Sequence, residues 1–132
     1  MALALCLTLL PAPAAAVAGT YCEYRWDDAS SRLICSEREI PGGAVEITDG
    51  YIDTSWGDDS SSWYVVTGSD VTISSRVTVS GSVHLILTDG CSLTVDGGIQ
   101  VPARNSLTIY GQQRDTGSLI AQVADGSADA GI

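Results

Sequence analysis

Few stretches of this chain offer side chains able to do chemistry. The richest is YIDTSWGDDSSSWY, running from Tyr51 to Tyr64, which sets Tyr51, Trp56, Trp63 and Tyr64 among Asp53, Asp58 and Asp59. Flat aromatic faces stack on sugar rings, and clustered carboxylate oxygens hold hard cations, so glycan binding and a Ca²⁺ site are both expectations here. Ca²⁺ is the only cofactor these residues suggest, and their spacing is not that of an EF-hand loop. The competing reading is structural. The same aromatics can plug one end of a hollow fold while Asp and Ser build its turns.

Other candidates carry less. His84 is the only histidine. It sits between Val83 and Leu85 at an outward position, with no Ser, Cys or metal-ligand spacing around it, which reads as a surface residue. Cys22 and Cys35 flank EYRWDDASSRLI and are spaced to close a short disulfide loop in an oxidising compartment. Cys91 has no basic neighbour in sequence to lower its pKa and reads as a small packed residue. Glycoside hydrolysis needs two carboxylates roughly 5–10 Å apart. No pair of acids here repeats at the spacing that would stack them, so no catalytic residue is expected.

The elements that would position these side chains follow from a repeat. From Trp63 onward the chain is built of short apolar triplets separated by turn residues, rich in Val, Ile, Leu, Thr, Ser and Gly. Sliding the chain by 22 residues puts Val71 on Leu93, Ile73 on Val95, Val77 on Ile99, Val79 on Val101, Leu85 on Leu107 and Leu87 on Ile109. Strand side chains alternate between faces, so each triplet turns its first and third residues inward. Three short strands cannot bury that inner face alone. Stacked turn on turn, they form apolar columns and pair their backbones. The expected fold is all-β, a parallel right-handed β-helix or solenoid of about 22 residues per coil, incomplete at its C-terminus. Outward threonines do not form a flat array: Thr72 meets Thr94, but Thr78 meets Gln100 and Thr108 meets Ile86. Strand propensity accounts for them.

Residues 1–18 read as a secretory signal peptide: an apolar run, Pro11 and Pro13, then Ala16-Val17-Ala18 before Gly19, with no basic residue at the front. Residues 19–62 are expected to form an N-terminal segment and cap, and residues 63–132 the truncated coils. A net charge of −10, from 16 acids against six arginines, lacks the basic stripe that nucleic acid or anionic lipid requires. Nucleic-acid binding and membrane insertion after signal removal are therefore not expected.

The wording WYVVTGSDVTISSRVTVSGSVHLILTDGCSLTVDGGIQV, with NSLTIYGQ and DAGI beyond it, resembles secreted gut-bacterial cell-surface proteins whose N-terminal region is a pectin-lyase-like β-helix. The resemblance covers roughly Trp56 to Ile132. It implies a secreted or cell-surface bacterial module, adhesin-like and carbohydrate-binding, with glycan or a host or cell-wall surface as partner. No catalytic residue carries over from it. The alternative is an N-terminal fragment of a β-helix polysaccharide lyase or glycoside hydrolase.

Overall fold

A computed structural model of the chain describes residues 17–123 and 131–132. The apolar leader therefore lies, up to residue 16, outside the described residues. Twelve strands and no helix are formed among them. β1 (Thr20–Asp27) and β2 (Arg32–Glu39) make an antiparallel hairpin. The rest wind as a parallel solenoid: β3 (Val45–Ile47), β4 (Ser55–Trp56), β5 (Ser61–Val66), β6 (Val71–Ile73), β7 (Val77–Val79), β8 (Ser82–Leu87), β9 (Ser92–Asp96), β10 (Ile99–Gln100), β11 (Ser106–Tyr110) and β12 (Ser118–Gln122).

Three parallel sheets form the walls. The first face is ordered β11-β8-β5-β3, the second β12-β9-β6 and the third β10-β7-β4. Four strands on the first face mean about four turns, and the parallel ladder begins at Val45, ahead of Trp63. Inward residues alternate with outward ones as the triplets require: Val71 and Ile73 are buried while Thr72 is exposed, and Val77 and Val79 are buried around exposed Thr78. The inner column contains Ile47, Tyr64, Leu85, Leu93, Val95 and Ile99 among others.

The spacing of stacked residues is close to 22 but not constant. Val71 pairs with Leu93, Ile73 with Val95 and Val77 with Ile99, as the sliding match requires. On the first face the expected columns are corrected. Leu85 lies against Ile109, not Leu107, and Leu107 lies against Val83. The corner before β8 is Ser80-Gly81, whereas the corner before β11 is Pro102-Ala103-Arg104-Asn105, two residues longer. A shift of two leaves every inward side chain inward, because strand period is two. An apolar-to-apolar match cannot detect it.

The corner between the third and first faces uses one device at each turn, a residue with left-handed backbone: Asp59 (φ 68°), Gly81 (φ 76°) and Arg104 (φ 70°). Successive corners interlock. Gly81 N donates to Asn105 Oδ1 at 2.6 Å, and Ser82 N donates to Ser60 O at 2.8 Å. Gly57 approaches so closely that a Cβ there would stand 2.0 Å from Ser80 O. No other residue fits that position.

The hairpin is no coil of the solenoid. It lies across the outer side of the first face, where Tyr21 and Ile40 bury outward-facing Val65 and Ile86 in a second, smaller core. Cys22 N donates to Gly111 O at 2.8 Å, and Gln112 Nε2 donates to Thr20 O at 2.7 Å. Cys22 and Cys35 are joined as a disulfide across the hairpin.

Candidate functional site

Tyr51, Trp56, Trp63 and Tyr64 are divided by the wall of the solenoid. Trp56 and Tyr64 point inward, buried, and stack with ring centroids 5.6 Å apart. Tyr51 packs half-buried against the same core. Tyr51 and Trp56 belong to the first turn and Tyr64 to β5 on the turn above it, and all three pack in the interior of the solenoid. The Tyr51 phenol is pushed up to about 12, chiefly by burial and then by Tyr64 and Asp53, with the Trp56 indole partly offsetting the rise. Trp56 Nε1 is nonetheless buried with no acceptor in hydrogen-bonding geometry among the described residues. The Tyr64 hydroxyl accepts from Gly57 N at 2.8 Å.

Trp63 alone points outward. Its indole lies 4.2 Å from the His84 ring with planes 12° apart, and 5.5 Å from Tyr110 at 19°. Tyr21 of the hairpin leans on both Trp63 and Tyr110, at 5.4 Å and 4.8 Å. His84 Nδ1 and the Tyr110 hydroxyl share a hydrogen bond at 3.0 Å. Burial raises the Tyr110 phenol, with Tyr21 and then Glu23 adding to the rise, so it stays neutral well past physiological pH. His84 is thus half-buried within a stack rather than a solitary surface residue. Its stacking partner Trp63 sits 21 residues back on β5. A slide of 22 misses that match by one position, so the repeat does not bring the two rings together.

Beside Trp63 a groove of about 410 Å³ opens at the first turn. The chain from Pro41 through Gly43 to Val45 forms one side, and Gly57, Asp58, Ser61, Ser62, Trp63 and Tyr64 the other. Asp58 is held in place by its own turn: Oδ1 accepts from Ser60 N at 3.3 Å, from Ser60 Oγ at 2.5 Å and from Ser62 Oγ at 3.3 Å. Those bonds hold its carboxyl below the usual range. Asp59 turns away and accepts from Ser80 Oγ on the next turn. Asp53 is exposed and takes no part in the groove. Among the described residues no three Asp, Glu, His or Cys side chains gather as ligands for an ion, so the three acids are dispersed, two of them as turn formers.

Compared with known proteins, the chain matches no family model, no curated protein and no solved structure. Its chemistry has to be read from the site alone. Cys91 is buried, and desolvation pushes its thiol up, away from a reactive thiolate. Among the described residues no helix is long and apolar enough to cross a membrane. What remains is the groove, an aromatic wall held rigid from behind with one carboxylate and two serine hydroxyls at its edge. That set can stack on a flat ring and accept or donate hydrogen bonds.

Proposed function

We propose that this chain is an exported cell-surface solenoid module that contacts glycan without cleaving it, through the groove beside Trp63. The observation that carries the reading is the fixed indole. An aromatic platform immobilised by His84 and Tyr110 loses little rotamer freedom when a sugar stacks on it, which is how preorganisation favours binding. Asp58, Ser61 and Ser62 lie in reach of ring hydroxyls. A disulfide across the hairpin supports an oxidising, exported setting, and an acidic chain supports solubility there.

The test uses the mature protein on a glycan array beside Trp63→Ala. Removing the platform should weaken binding about tenfold or more, equal to about 1.4 kcal/mol. Far-ultraviolet circular dichroism of the variant controls for folding. Equal binding by wild type and Trp63→Ala, or release of cleaved product from any polysaccharide, defeats the reading. Protease shaving of intact cells should release the protein if it is displayed at the surface.

A further inference from the structure

Resting on that reading, we infer that the groove selects uncharged sugars and rejects uronates. The argument is electrostatic. Of the groove's lining residues only Asp58 is charged, and neither Arg nor His is among them. Its three intramolecular bonds all fall on Oδ1, which keeps the carboxyl ionised, and none of them uses Oδ2 of this lining residue. An oxygen of that kind takes a hydrogen bond from a sugar hydroxyl and repels a sugar carboxylate. The chain has no lysine at all, and net charge is −10. Uronate recognition uses a cation to pair with the carboxylate, by preference a bidentate arginine. The groove offers none.

Ionic strength gives an independent handle. The Debye length is about 8 Å at physiological salt and about 3 Å at 1 M, so repulsion across the groove should fade with added salt while stacking does not. The experiment is an array of matched pairs, galactose oligomers against galacturonate oligomers of equal length, probed with wild type, Trp63→Ala and Asp58→Asn at low and high salt. Neutral members should bind at least tenfold tighter, the gap should narrow in high salt, and Asp58→Asn should narrow it at low salt. Should Asp58→Asn disturb its turn, the salt series on wild type still decides. Uronates bound as tightly as their neutral partners would overturn this selectivity alone and leave the glycan reading standing. No signal on any member, or signals indifferent to Trp63→Ala, would overturn the glycan reading and the selectivity with it.

Discussion

At the scale of single residues, the corners show how side-chain choice is dictated by backbone. Asp59, Gly81 and Arg104 are the left-handed residues of three successive corners, yet they are not equally suited to that backbone. Glycine adopts that conformation freely. Aspartate tolerates it through local hydrogen bonds, and the Asp59 carboxylate is used by Ser80 on the next turn. Arginine has neither advantage, and Arg104 is exposed. Left-handed backbone costs about 1–2 kcal/mol for an ordinary residue, and the greater unfolded-state freedom of glycine returns part of that. Arg104→Gly should therefore stabilise by about 0.5–1 kcal/mol, seen as a higher urea midpoint with unchanged slope. Asp59→Gly should gain nothing and lose the bond to Ser80. A destabilised Arg104→Gly would mean that the guanidinium does structural work its exposure does not suggest.

At the scale of elements, the hairpin and the solenoid obey different rules, and their legibility differed accordingly. The second face was readable because Val71, Ile73, Leu93 and Val95 repeat at 22 residues with no insertion between them. The first face was readable in direction but not in register, since a two-residue insertion at Pro102–Asn105 conserves alternation. The opening turn was hidden by its spacing, with Val45 only 19 residues ahead of Tyr64. The groove was half legible: aromatic and acidic types were visible in Tyr51–Tyr64, but which ring faces outward depends on a pleat that sequence spacing alone left open. The hairpin left a single trace, Cys22 and Cys35. Closing a loop with sequence separation 13 removes denatured-state entropy worth about 3 kcal/mol. Reduction should lower the unfolding midpoint by about that free energy, and a Cys22→Ala/Cys35→Ala double variant should reproduce the loss and be insensitive to reductant. An unchanged midpoint on reduction would mean that the disulfide contributes nothing to global stability.

At the scale of the whole molecule, a solenoid is quasi-one-dimensional, each turn resting only on its neighbours, so stability should grade along the axis. The middle turns are covered on both sides, and Leu85, Leu93 and Val95 are wholly buried. In the last turn Ile109 is 43% exposed, and Leu107, Leu119 and Ala121 are only partly buried. The hairpin alters this gradient unevenly. Its backbone grips Gly111, and Tyr21 bridges Trp63 on β5 to Tyr110 on β11, a strap reaching across the stacked turns of the first face. The hairpin does not reach β12, against which the described residues place, besides its partner strand β9, only Gly131, close to Ala121 O. Amide exchange should therefore be slowest in β8 and β9, intermediate in β11 and fastest in β12, and reducing the disulfide should speed β11 selectively toward the rate of β12. Leu85→Ala should cost about 2–5 kcal/mol and unfold the stack as a unit, whereas Leu119→Ala should cost less and loosen only the end. Uniform protection from β5 to β12, unaffected by reduction, would contradict the strap and the gradient together, because each needs turns that open independently of those above them.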